Sequence, residues 1–233
     1  MVMKRTPVCT QDGSYTFQIE ALGECYHSLC GAVREAREVY LQAGLEHYIS
    51  LHPQTDRIRI FEMGFGTGLN AWLTLRYVEE RQIAVEYWAI EKYPLTFREV
   101  AQLNYSREEA FYRLHHAPWG ASFSLSHHFT LCKQQADLLT CSPPDHIDLV
   151  YFDAFAPNIQ PDLWRTEVFA SLYRHMNPGA LLVTYSAKGS VKEALRCAGF
   201  GLQRLKGSGN KRHMLRACKA QEENEKNAIL LPK

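Results

Sequence analysis

The chain has 233 residues, 46% of them hydrophobic and 22% charged, with a formal net charge of +1. It suits one large domain, or a domain with a short appendage, and carries enough apolar residues to bury a core, which excludes a wholly disordered chain. No apolar run approaches the ~18 residues of a membrane-spanning helix, and no hydrophobic stretch follows Lys4-Arg5 as a secretory signal would require. The seven cysteines are odd in number and show no C-x-x-C spacing. They read as reduced thiols of a cytoplasmic protein. His127, His128 and Cys132 complete no tetrahedral set, so no metal is expected.

In chain order, Ser14–Ile19 alternates as a short strand between Asp12-Gly13 and Gly23. From Gly31 to Leu51, the residues Ala32, Val33, Ala36, Val39, Tyr40 and Leu45 recur at helical spacing, with a break expected at Gly44. Ile58–Glu62 is a strand ending in a glycine cluster, and Leu69–Arg81 a helix. Ala84–Ile90 is a strand ending at Glu91, and Leu95–Leu114 is helical in two pieces. Phe129–Cys132 and Ile147–Phe152 are strands, the second ending at Asp153. Pro161–Met176 reads as a helix with proline in its first turn, and Gly179–Tyr185 as a strand after an Asn177-Pro178-Gly179 turn. Ser190–Ala198 is a short helix, and Gly201–Leu205 with His213–Ala217 an antiparallel hairpin.

Strands separated by helices predict a mostly parallel α/β sheet, to which the hairpin adds an antiparallel end. Residues 1–55 read as a strand and helix extension packing on the core, 56–219 as the main domain, and 220–233, with the polar run Gln221–Asn227, as a disordered tail.

Ligands of such sheets bind at the carboxyl ends of the strands, where the chemistry-bearing residues fall. The run Glu62-Met63-Gly64-Phe65-Gly66-Thr67-Gly68-Leu69-Asn70 turns tightly from strand to helix and offers backbone N–H groups and a helix N-terminus to a ligand. From Gly66 to Ala71 it also satisfies G-x-G-x-x-A, which leaves a dinucleotide site open. Three acids end successive strands. Glu91 can accept ribose hydroxyls, Asp137 can meet an adenine amino group, and Asp153 lies deep in the same cleft. Glu91 lies farther from the glycines than the ~20 residues usual in nicotinamide binders.

Gly64-x-Gly66-x-Gly68, Glu91, Ala136-Asp137 and Asp153 together resemble the class I methyltransferases that use S-adenosylmethionine. More narrowly, Glu62–Asn70, Tyr151-Phe-Asp-Ala-Phe-Ala-Pro157 and Gln160-Pro-Asp-Leu-Trp164 are similar to the MnmD family, which also forms the amino-terminal half of a bifunctional tRNA-modifying protein. Asp12-Gly13-Ser14, Tyr26-His27-Ser28, Glu35-Ala36, Lys188-Gly189 and the stretch Gly209–Leu215 extend the resemblance over roughly residues 10 to 218. Gln134-Gln135 depart from it, standing where many class I enzymes place a glycine before the adenine acid.

The resemblance implies a Rossmann-like fold with a seven-stranded sheet and a stand-alone methyltransferase without an FAD oxidase half. Its product would be 5-methylaminomethyl-(2-thio)uridine at the wobble position of tRNA. S-adenosyl-L-methionine would be held by Glu62, Gly64, Phe65, Gly66, Thr67, Gly68, Asn70, Glu91, Lys92, Ala136 and Asp137, and would leave as S-adenosyl-L-homocysteine. Asp153 would be catalytic, and Tyr26, His27, Asp153, Phe155, Pro157, Lys188, Lys211 and Arg212 would meet the tRNA. The chemistry agrees: the amine must be neutral to attack, and Asp153 can aim its lone pair and take its proton. The Ala154–Pro157 turn would offer a second, carbonyl acceptor, and Phe155 would stack on the base or pack in the core. His27 reads equally as support or as a functional group.

Between Lys188 and Lys219 stand nine basic residues against one acid, Glu193. This local +8 fits a polyanion and disfavours an aminopropyltransferase of the spermidine-synthase type, whose cationic acceptor it would repel. A nucleotide- or RNA-binding module without catalysis is the other alternative.

Overall fold

The computed structural model describes residues 4–221. The tail reading thus falls mainly on residues 222–233, outside the described residues. A small antiparallel sheet comes first, built from β1 (Arg5–Cys9), β2 (Tyr15–Ile19) and β3 (Glu24–Cys25). Only β2 was legible in the sequence. β1 carries Pro7, which the sheet tolerates because β1 is an edge strand, and β3 is two residues long.

A helical run follows without interruption: α over Ala32–Glu35, π over Ala36–Glu46 and α again over His47–Leu51. The break expected at Gly44 does not occur. A Cβ at Gly44 would approach Val183 Cγ2 to 3.0 Å and Tyr151 Cε1 to 3.2 Å. Glycine is there to let the helix lie against the sheet, not to end it.

The main sheet contains β4 (Arg57–Met63), β5 (Ala84–Glu91), β6 (Ser122–Ser124), β7 (Phe129–Gln135), β8 (Ile147–Phe152), β9 (Met176–Thr184), β10 (Gly201–Lys206) and β11 (His213–Cys218). Their order is β10-β11-β9-β8-β4-β5-β7-β6, with β9-β8-β4-β5-β7 parallel and both ends antiparallel. The sheet therefore has eight strands rather than seven. The extra one, β6, is a three-residue Ser-Phe-Ser edge too short to show a period.

Helices Leu69–Arg81, Phe97–Val100, Glu109–His116 and Gly189–Cys197 fall near where periodicity places them. Pro161–Met176 is not one helix. It is a 3₁₀ turn over Pro161–Trp164 followed by an α-helix over Thr166–His175, and Met176 already belongs to β9. The expected Asn177-Pro178-Gly179 turn lies inside β9 as an irregularity: Ile147 pairs with Met176, but Leu149 pairs with Leu181. Pro178 has no N–H to give the ladder, so pairing lapses there and resumes.

Alternation along the strands buries both faces. Ile58, Ile60, Tyr87, Leu149, Tyr151 and Val183 pack with Phe17, Val39, Tyr40 and Leu45 of the N-terminal segment. Phe61, Val150, Phe152 and Leu182 pack on the opposite face with Phe169, Leu172, Val191 and Leu195. The strand order reverses at β4, between β5 and β8, and a crevice opens at that switch point. Glu91 and Asp153 stand on either side of it.

Candidate active site

The crevice is a cleft of about 550 Å³. The glycine turn closes one side of it, and the turn is possible because of Gly64. Its φ is +90°, and a Cβ would come 2.8 Å from the Asp153 carbonyl oxygen, so glycine brings the ends of β4 and β8 together. Glu91 ties the same turn to β5, its Oε2 accepting from the Gly66 N–H at 3.0 Å and its Oε1 from the Tyr93 N–H at 2.8 Å. A carboxylate has about four acceptor sites, so capacity for a diol remains. Asp137, after β7, accepts from Lys92 Nζ at 2.7 Å and from the Leu139 N–H at 3.0 Å. The Lys92 hydrogen bond is the main cause holding its pKa below the ordinary value.

Asp153 lies at the floor. Its Oδ1 accepts from the Tyr40 hydroxyl at 2.5 Å and its Oδ2 from Asn70 Nδ2 at 2.8 Å. Burial pushes its pKa up to about 7, against the lowering by Tyr40, Asn70 and Lys211. Tyr40 escaped the sequence reading: on an apolar helix face it reads as core, and only its hydroxyl at a buried position signals a partner.

The turn after Asp153 is held by the second motif segment. The Phe155 N–H donates to Gln160 Oε1 at 3.2 Å, and Trp164 Nε1 donates to the Phe155 carbonyl at 2.8 Å. Tyr185 takes the Ala154 carbonyl at 2.9 Å, and the N–H groups of Ile159 and Gln160 take that of Ala156. These engagements fix the turn from which a carbonyl acceptor was expected. The Phe155 ring lines the cleft and meets Tyr26 edge-on, with centroids 5.1 Å apart.

The N-terminal segment builds the remaining wall. Tyr26 lies against Gly66, its hydroxyl accepting from Arg5 Nε at 2.9 Å. His27 is enclosed between Thr16 Oγ1 at 3.0 Å and Thr67 Oγ1 at 3.4 Å, and burial lowers its pKa to about 4. It is neutral at pH 7 and supports the loop. Glu35, absent from the expected set, is buried in this wall; it accepts from the Ser28 N–H at 2.8 Å and pairs with Lys211 Nζ.

Gly64, Phe65, Gly66, Thr67, Asn70, Lys92 and Ala136 line the cleft, together with Glu91, Asp137, Asp153, Tyr26, His27, Phe155 and Lys211. Five residues of the expected set do not line the cleft. Glu62 is 0% exposed beneath the turn and does not border the cleft. Gly68 starts the helix against His115. Pro157 and Arg212 lie off the lining, and Lys188 reaches out to Asn158 at 2.9 Å.

Lys211 is a cleft-wall residue 3.9 Å from the Tyr185 ring centre. The hairpin turn folds back so far that a Cβ at Gly209 would come 2.7 Å from Cys30 Cβ. Two more of the nine bases are structural: Arg216 donates to the Ala43 carbonyl and Lys219 to those of Tyr173 and Met176. Lys188, Arg196, Arg204, Lys206 and Arg212 are exposed.

Residues 121–220 match the family described as S-adenosyl-L-methionine-dependent methyltransferase. Among curated relatives, the tRNA 5-methylaminomethyl-2-thiouridine biosynthesis bifunctional protein MnmC of Ectopseudomonas mendocina is 33% identical over 209 residues, 83% of this chain and 32% of that protein. Among solved structures, MNMC2 from Aquifex aeolicus superposes with a TM-score of 0.76 at 24% identity, covering 95% of this chain and 73% of that one. Spermidine synthase from Thermotoga maritima gives 0.59 at 12% identity, covering 94% and 70%; both likenesses concern the fold alone.

The match to the S-adenosylmethionine-dependent methyltransferases over residues 121–220 thus goes with a class I fold. Within that class it is similar to the MnmC proteins, of whose length it spans about a third. The cleft fits such a cofactor: a turn with room for backbone approach, a strand-end carboxylate at Glu91 and a further acceptor at Asp137. Among the described residues, no helix is long and apolar enough to cross a membrane, and no group of three or more His, Cys, Asp and Glu is placed to hold a metal.

Proposed function

We propose that this protein methylates the exocyclic amine of an aminomethyl-modified wobble uridine in tRNA, giving a base of the 5-methylaminomethyl-2-thiouridine type. The observation that carries the reading is Asp153, a cleft-floor carboxylate gripped by Tyr40 and Asn70 with its pKa raised to about 7. S-adenosylmethionine, when bound, supplies an electrophilic methyl group and departs as S-adenosylhomocysteine. Asp153 accepts a hydrogen bond from the substrate amine and aims its lone pair. As the new N–C bond forms, the nitrogen loses a proton, and a carboxylate with a pKa near neutrality is matched to receive it. Glu91 and Asp137 hold the nucleoside end of the cofactor through neutral hydroxyl and amino donors. Phe155 and Tyr26 offer aromatic faces to an unstacked pyrimidine.

The name and identity of the MnmC relatives support this substrate, as does the exposed basic set Lys188, Arg204, Lys206 and Arg212. The same reading assigns residues 1–55 to a wall-forming extension, residues 56–219 to the methyltransferase core, and the protein to the cytoplasm, where it meets tRNA. The test is methyl incorporation into tRNA from cells lacking the protein, followed by nucleoside mass spectrometry. The reading requires the methyl group on the aminomethyl nitrogen. S-adenosylhomocysteine binding without turnover on tRNA would leave a binding module, and turnover on putrescine an aminopropyltransferase.

A further inference from the structure

Beneath the glycine turn lies a polar group that the cleft does not use. Glu62 Oε1 and Oε2, Asn70 Oδ1 and the Tyr87 hydroxyl are all buried with no hydrogen-bond partner among the described residues. Glu62 neighbours both Asn70 and Tyr87. Asn70 donates its Nδ2 to Asp153 Oδ2, which fixes the amide and leaves Oδ1 as its unpartnered end.

The donor count decides the state of Glu62. Ionised, it would bring two more acceptors to a group that already has an idle Asn70 Oδ1, with only the Tyr87 O–H and the second Asn70 N–H to serve three. Protonated, it contributes the missing donor, and the group balances. The groups that face it agree: Asn70 from the Leu69–Arg81 helix, Tyr87 and Glu91 from β5, and Asp153 from the end of β8 include two further acids. Burial first, and then the Asp153 charge, push its carboxyl well above the ordinary value.

We propose that Glu62 is a positioning residue that stays a neutral carboxylic acid and holds Asn70, and through it Asp153, in register. The inference rests on the reading of Asp153 as the acceptor of the substrate proton, but its main test needs no substrate.

Glu62→Gln keeps the size and supplies a neutral donor. A glutamate neutral in the folded protein titrates at ~4.3 when unfolded. The stability that its neutral form contributes is therefore full below that pH and lost as pH rises toward the folded pKa. The melting temperature of Glu62→Gln minus that of the wild type should thus climb steadily between about pH 5 and pH 8. A flat difference, or a Glu62→Gln chain that does not fold, overturns the proposal. Calorimetry with S-adenosylhomocysteine should give an affinity within about threefold of wild type. A loss beyond about tenfold, or ~1.4 kcal/mol, would mean that an ionised Glu62 contacts the cofactor.

In single-turnover methyl transfer, Glu62→Ala should lose about tenfold or more and displace the acid limb of the pH profile, and glutamine should restore most of both. A Glu62→Gln limb moved to lower pH overturns the proposal, since removing an ionised neighbour would lower the pKa of Asp153. The first two arms involve no tRNA, so they report on Glu62 whatever the substrate proves to be.

Discussion

The floor and the rim of the cleft hold the same kind of side chain in different surroundings, and the pKa moves down at Asp137 and up at Asp153. At the rim, Asp137 faces solvent and Lys92, and that hydrogen bond keeps it charged. Glu91 is gripped by two backbone N–H groups. At the floor, burial outweighs the two hydrogen bonds to Asp153, and it pushes up the carboxyl of Glu62 below it, whose polar neighbours are Asn70 and Tyr87. Strand ends of one sheet thus provide, in Asp137, an anion that stays an anion and, in Asp153, an acid that can exchange a proton near pH 7. Binding needs the first kind and proton transfer the second, and the difference comes from burial rather than from residue type.

The variant that breaks this contrast most severely is Asp153→Asn. It keeps shape and one acceptor oxygen but removes the proton acceptor, and single-turnover methyl transfer should fall ~10²–10⁴-fold with cofactor affinity near normal. At the rim, Glu91→Ala should act on binding alone. Calorimetry should show S-adenosylhomocysteine binding weakened roughly 10- to 100-fold, through loss of a charge-assisted acceptor and a looser glycine turn.

Tyr40→Phe sharpens the floor side. Its hydroxyl stabilises ionised Asp153, so without it the pKa moves up, less of the carboxylate is ionised at pH 7, and the rate there drops about tenfold. The sign is diagnostic: the acid limb moves to higher pH, and activity recovers above ~pH 8. The smallest effect belongs to the outer surface. Arg212→Ala should reduce the salt slope of tRNA binding by about one phosphate contact without touching cofactor affinity.

The strand and glycine framework was legible because it obeys local rules. β4, β5, β8 and the β10–β11 hairpin announce themselves by composition and turn residues, and Glu91 and Asp153 fall at strand ends that follow from them. What stayed hidden depends on contacts across the chain. Tyr40 meets Asp153 113 residues away, and Glu35 meets Lys211 176 residues away. Neither pairing leaves a periodic trace. The wall position of Lys211 stayed hidden for the same reason: it depends on the fold turning the basic hairpin onto Cys30. Gly44 and the Asn177-Pro178-Gly179 run were misread because residue types that usually interrupt an element here permit close packing or mark an irregular pairing inside one.

Burial at the cleft floor tunes the Asp153 carboxyl toward neutrality. Carbon-13 NMR of the free protein with labelled aspartate side chains tests it directly. One carboxyl resonance, absent from Asp153→Asn, should titrate near pH 7, as the raised pKa requires. An Asp153 resonance titrating near the ordinary aspartate value of ~3.9 would contradict the account.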